Sequence, residues 1–103
     1  MEKYKKNGLV AVLVSPDYGA GWYTWNDNCK ELLFDPNIVQ LILDKVSKKE
    51  ILEYCEKKYP DAYFGGIDGL CIHWVPEGTI FRIDEYDGYE TLVPRTMDEW
   101  LTA

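Results

Sequence analysis

The sequence predicts a single α+β domain over residues 1–103, with two or three helices on one side of a mostly antiparallel sheet of about four strands. Three observations indicate this class. An apolar run near the N-terminus has the pattern of a buried strand, the middle of the chain has apolar residues at helical spacing, and apolar residues alternate after Pro60. The predicted order is β-α-α-β-β-β-α. The length of 103 residues is typical of one domain.

The N-terminal half contains the first strand and the helices. Residues 9–15 are apolar and rich in β-branched side chains, which is typical of a strand buried on both faces. A short helix is predicted at residues 29–34. Asp35 and Pro36 predict the start of the next helix, because Asp caps helices and Pro lacks an N–H that the first position does not need. Ser47 and Glu50 form a capping box that begins a further helix, which Pro60 ends.

The C-terminal half is predicted to consist mainly of strands, at residues 69–75, 79–85 and 89–93. Asp87 and Gly88 are a strong signal for a two-residue hairpin turn between the last two strands. A second capping box at residues 96–99 predicts a short terminal helix.

The composition predicts a protein of the cytoplasm. No apolar run approaches the roughly 20 residues of a membrane span, and the N-terminus lacks the apolar core of a signal peptide. The chain has 3 cysteines, Cys29, Cys55 and Cys71, which are too far apart for a zinc knuckle and odd in number for a disulfide framework. We therefore expect folding without metal, disulfide or cofactor.

The formal net charge of −7 arises entirely after residue 60. The 43 residues from 61 to 103 hold nine acidic and two basic side chains, whereas residues 1–60 hold nine of each. This field disfavours direct binding to nucleic acid and favours a protein partner with a basic surface. A solvated acidic face that only aids solubility remains the alternative, and homo-oligomerisation stays open.

The hairpin is the first candidate site. A two-residue turn at Asp87 and Gly88 places Glu85 opposite Glu90 on the face that also carries apolar residues, and like charges in that position reduce stability. A cation or a basic partner would relieve the repulsion, unless the tip projects into water. We therefore expect Glu85→Gln combined with Glu90→Gln to keep or raise the melting temperature. The protein-binding candidates are Asp84, Glu85, Tyr86, Asp87, Tyr89 and Glu90.

The second candidate is the Gly/aromatic loop, residues 17–26. Its glycines do not match a phosphate-binding motif, but its aromatic rings could stack on a flat ligand of the nucleotide type. Alternatively, its tryptophans close the end of the core. The ligand-binding candidates are Tyr18, Trp22, Tyr23 and Trp25.

The sequence offers no candidate catalytic or metal-binding residues. His73 is the only histidine, and the motifs of zinc proteases, serine hydrolases and P-loop enzymes are absent. A non-enzymatic protein is therefore the first hypothesis.

Three segments taken together carry a resemblance. They are SPDYGAGW at residues 15–22, LFDPNIV at residues 33–39 and FRIDEYDGYE at residues 81–90. In these the chain resembles a group of short uncharacterised proteins encoded by tailed bacteriophages and prophages. The resemblance implies a small accessory protein in the cytoplasm of an infected bacterium. Such proteins bind and disable host machinery or sequester signalling molecules, which leaves a binding module as the first hypothesis and a ligand-sequestering protein as the alternative.

Overall fold

The computed structural model describes residues 1–95, and these residues confirm the α+β class and the approximate order of strands and helices. The predicted terminal helix at residues 96–99 lies outside the described residues. The strands are β1 (Lys5–Lys6), β2 (Leu9–Val14), β3 (Cys71–Pro76), β4 (Phe81–Tyr86) and β5 (Tyr89–Pro94). The helices are α1 (Lys30–Phe34), α2 (Pro36–Leu43) and α3 (Lys48–Lys58), and a single 3-10 turn covers Ile67–Gly69.

The described strands form two antiparallel sheets rather than one. In the first sheet the order is β1-β2-β3, so the apolar strand β2 is central, with Val12 opposite His73. In the second sheet β4 pairs only with β5. The apolar run of β2 and the alternation of apolar residues after Pro60 predict four of these strands but not β1, and they do not specify which strands share hydrogen bonds.

The strand β2 is buried on both faces because each face has its own cover. Ala11 and Leu13 point to the helix-side cluster, which includes Ile38 of α2 and Ile51 of α3. The alternate residues of β2 point to the hairpin-side cluster. That cluster consists of Val10, Val12, Val14, Leu33, Phe34 and Val75, with Phe81, Ile83 and Leu92 packed against it. The hairpin β4-β5 therefore acts as a second layer over β2.

The predicted starts of α2 and α3 are confirmed. The Asp35 carboxylate accepts hydrogen bonds from the N–H groups of Asn37 and Ile38, at 2.8 and 3.2 Å. The Ser47 hydroxyl accepts one from the Glu50 N–H at 3.2 Å. Within residues 1–95, no helix has the length and apolar character needed to span a membrane.

Candidate functional site

The hairpin turn has the geometry that its sequence predicts. Asp87 and Gly88 have φ of 49° and 85°, so both occupy the left-handed region of a tight two-residue turn. The register places Tyr86 opposite Tyr89 and Glu85 opposite Glu90.

Glu90 is one of the residues that attach this hairpin to the rest of the protein. Only 1% of its surface is exposed. Its Oε1 accepts a hydrogen bond from the Ser15 N–H at 3.0 Å. Its Oε2 accepts bonds from the Trp22 N–H at 2.9 Å and from the N–H and hydroxyl of Thr24 at 2.8 and 2.7 Å. All four partners are donors, which suits the ionised carboxyl group, an acceptor only.

This arrangement corrects the predicted role of Glu90. Glu90 is not part of an exposed protein-binding surface, because the Gly/aromatic loop encloses its carboxylate. The repulsion between Glu85 and Glu90 is also not relieved by a cation, a basic partner or water, as expected above, but by hydrogen-bond donors of the protein itself. Three backbone N–H groups and the Thr24 hydroxyl satisfy Glu90. Glu85 is exposed and accepts a bond from the Gly88 N–H at 2.8 Å. Both carboxylates thus have their own donors.

The turn itself lies directly on the Gly/aromatic loop. The Gly19 N–H donates to the Asp87 carbonyl at 2.7 Å, and the rings of Tyr18 and Tyr89 meet with centroids 5.0 Å apart. Gly88 is buried against Ala20. Loop and hairpin therefore form one packed unit, although about seventy residues separate them in the sequence.

We expect Gly88→Val to lower the free energy of unfolding by about 2 kcal/mol, measured by urea denaturation. A β-branched residue is strained at positive φ, and any Cβ at this position would run into the backbone of Ala20. Gly78→Val is the control, because Gly78 has φ of 88° but open space around a Cβ. An equal loss in both variants would contradict the proposed contact between turn and loop.

We define the hairpin tip as the exposed segment Asp84, Glu85, Tyr86 and Asp87. All four are exposed, and Tyr86 has 78% of its surface in solvent. Arg82 donates to Asp84 across 2.9 Å, which partly offsets one of the three carboxylates. The tip therefore presents a tyrosine ring within a negatively charged surface.

The ligand-binding candidates occupy four different environments. Trp22 is fully buried and donates its Nε1–H to the Leu32 carbonyl at 2.7 Å, so it belongs to the core and is not available for stacking on a ligand. Trp25 is 40% exposed and stacks on Tyr63, with centroids 6.0 Å apart. Tyr18 is exposed beside Tyr89, and Tyr23 is half-buried in the hairpin-side cluster. The structure thus does not bring the four rings together into one stacking site.

A polar cleft of about 340 Å³ lies beside the Gly/aromatic loop. Tyr18 and Tyr63 line it together with Asp17, Asp68 and the backbone around Gly65. Two carboxylates in such a lining disfavour a phosphate group.

A buried polar cluster at Asp35 is a feature that sequence reasoning identified only as a helix cap. The Asp35 carboxylate, with no exposed surface, accepts bonds from Tyr59 Oη at 2.6 Å, from Lys58 Nζ at 3.0 Å and from Tyr54 Oη. Tyr54 and Lys58 are four residues apart on α3 and therefore share a face, which is a signal the sequence contains. The sequence does not show that this face meets the start of α2.

The ionisation of this cluster follows from its contacts. Burial raises the pKa of Asp35, but the hydrogen bonds from Tyr59, Lys58 and the Ile38 N–H outweigh burial and lower the pKa below its usual value. The bond to Asp35 raises the pKa of Lys58, whereas burial and then the same carboxylate raise that of Tyr59. The cluster thus stabilises the charges of an ion pair.

The raised pKa values of Cys55 and Cys71 make these two cysteines poor nucleophiles. Burial raises the pKa of Cys55 to about 12, and burial also raises that of Cys71. Over residues 1–95, no three His, Cys, Asp or Glu side chains converge in a way that could hold a metal ion. Among the described residues, the hairpin tip carries the most exposed large hydrophobic side chain, Tyr86.

Comparison with known proteins returned no match: no protein-family model, no curated protein and no solved structure is similar to this chain.

Proposed function

We propose that the chain is a small acidic accessory protein of the bacteriophage type. It acts as a non-enzymatic binding module in the bacterial cytoplasm, and its hairpin tip contacts a basic surface of a host or defence protein and inhibits that protein. The observation that carries the proposal is Tyr86, a large ring that is 78% exposed between carboxylates.

The anchoring of the hairpin supports this proposal. A two-stranded hairpin by itself is marginally stable, but Glu90 and Gly88 fix this one to the Gly/aromatic loop. A tip that is already ordered loses little conformational entropy when a partner binds. Tyrosine also gives a large contact area with only two side-chain torsions, which is why it is frequent at binding sites.

The charge of the tip also supports the proposal. Three carboxylates lie within two residues of Tyr86, those of Asp84, Glu85 and Asp87. Arg82 is the only basic residue close to them in the sequence. Exposed carboxylates accelerate the encounter with a basic partner and have less effect on the lifetime of the complex.

We expect Tyr86→Ser to weaken partner binding by about tenfold or more, as for a central aromatic contact. The test is affinity capture from a bacterial lysate, followed by binding kinetics with the captured partner. Tyr63→Ser is the matched control, because Tyr63 is also exposed, at 52%, but lines the polar cleft.

A second variant tests the charge. Glu85→Gln combined with Asp87→Asn retains an acceptor for the Gly88 N–H, and Asn tolerates positive φ at the turn. The association rate and its dependence on salt should both fall, while Glu56→Gln combined with Asp61→Asn changes neither. Unchanged binding by both tip variants, with loss of binding in Tyr63→Ser or Trp25→Ser, would reject the tip as the site.

A small-ligand function is the second candidate, and the polar cleft favours it. Tyr18 and Tyr63 offer aromatic faces there, while Asp17 and Asp68 favour a cationic over a phosphorylated ligand. Trp22→Ala does not test this function, because Trp22 is a core residue whose loss would unfold the domain.

A further inference from the structure

An apolar cavity of about 350 Å³ lies between α1 and β4. Its apolar lining includes Phe34, Phe81 and Ile83, and the rings of Phe34 and Phe81 meet edge to face at 6.3 Å between centroids. Phe81 and Ile83 are only half-buried, so apolar surface is left open beside the hairpin-side cluster. The volume lies within the range of roughly 300–1,000 Å³ that is usual for small-molecule sites.

Basic side chains surround this apolar surface. Lys3, Lys30 and Arg82 line the cavity, and its described lining includes no Asp or Glu. The chain has only 11 basic residues against 18 acidic ones. With three basic side chains in its lining, the cavity is locally positive although the chain as a whole is negative. Lys3 Nζ lies 4.6 Å from the centroid of the Phe34 ring, which places a cation directly at the apolar surface.

We propose that the apolar cavity binds a small organic anion that carries one carboxylate on a compact aromatic or aliphatic body. The body covers Phe81 and Ile83, which removes apolar surface from water. The carboxylate meets Lys3 and Lys30, whose positive charge it neutralises. Arg82 is already bonded to Asp84, so we assign the main charge contact to the two lysines.

The charge pattern distinguishes this class of ligand from two others. A cationic ligand would meet three like charges, and a strongly hydrated anion such as inorganic phosphate would leave the apolar surface uncovered. The site is also separate from the hairpin tip, since it uses the part of β4 farthest from the turn. The inference therefore does not depend on the proposed function.

The test uses the full-length chain and 2-naphthoate as the probe, with 2-naphthamide as its neutral analogue. Binding is measured by calorimetric titration, and the site is located by changes in the amide NMR signals of residues 30–34 and 81–83. We expect 2-naphthoate to bind with a Kd below about 1 mM. The affinity of 2-naphthamide should be lower by about fivefold or more.

A pair of double variants tests the role of the lysines. Lys3→Gln combined with Lys30→Gln should lower the affinity for 2-naphthoate by about fivefold to tenfold. Lys49→Gln combined with Lys57→Gln is the matched control, because it changes the net charge equally on the exposed face of α3 and should leave the affinity unchanged.

Three results would overturn the proposal. They are equal binding of 2-naphthoate and 2-naphthamide, equal loss of affinity in both double variants, and the absence of saturable binding. If the wild-type chain did not bind the probe but Trp100→Ser did, the cavity would belong to the chain's own last residues and not to a free anion.

Discussion

Glu90→Gln is expected to lower the free energy of unfolding by about 2–4 kcal/mol, although it removes one of two glutamates that face each other. The Glu90 carboxylate is buried and surrounded by donors from Ser15, Trp22 and Thr24. A glutamine has one oxygen and one NH₂ group. Whichever way it is oriented, the NH₂ group faces an N–H donor and leaves that donor without an acceptor. Urea denaturation at neutral pH measures the effect.

Glu85→Gln is the matched control, because it makes the same chemical change on the opposite strand at an exposed position. It should change stability by less than about 0.5 kcal/mol. The double variant should then resemble Glu90→Gln, with a lower melting temperature, which reverses the expectation from the sequence. A Glu90→Gln protein as stable as Glu85→Gln would refute the structural role of the carboxylate.

Asp35→Asn is expected to lower the free energy of unfolding at pH 7 by about 2–3 kcal/mol. Asn still caps α2, so the loss reports mainly the charge-assisted bonds from Tyr59 and Lys58. The pKa of Asp35 is lower in the folded than in the unfolded protein. Its ionisation therefore stabilises the fold above the unfolded pKa of about 4, and this contribution is lost as the pH falls through the folded value.

The stability difference between wild type and Asp35→Asn should thus be constant above about pH 5 and should shrink below about pH 4. Denaturation curves collected between about pH 2 and about pH 7 measure this stability difference. Asp61→Asn, at an exposed position, should differ little from wild type throughout. A difference for Asp35→Asn that stayed constant down to the lowest pH would show that the carboxylate gains no stability from its ionised form.

Much of the local structure was predictable because short-range chemistry specifies it. Asp35 and Ser47 cap helices through N–H groups two or three residues away. Asp87 and Gly88 adopt positive φ within the turn that they form, and that turn fixes the register from Tyr86 to Tyr89. The apolar run of β2 predicted burial on both faces, which the structure confirms.

The candidate site was predictable only in part, because exposure depends on contacts between distant segments. Tyr86 and Glu90 both belong to an acidic, tyrosine-containing hairpin, yet one is 78% and the other 1% exposed. Trp22 and Trp25 are three residues apart in one loop, yet one is in the core and the other on the surface. Residue type is the same for the two tryptophans, and for Tyr86 and Glu90 it favours the reverse of the observed exposure, so residue type could not identify the two environments.

The sequence by itself determined the approximate positions of the three helices and of β2 to β5, where the hairpin turns, and that the chain is acidic after residue 60, but it did not predict β1. Only the tertiary structure decided that the strands form two sheets and that the hairpin covers the second face of β2. It also decided the position of Glu90, whose partners lie 66 to 75 residues away. A buried carboxylate requires donors from wherever the fold can supply them, and here three of the four are backbone N–H groups, which no residue type in the sequence reveals.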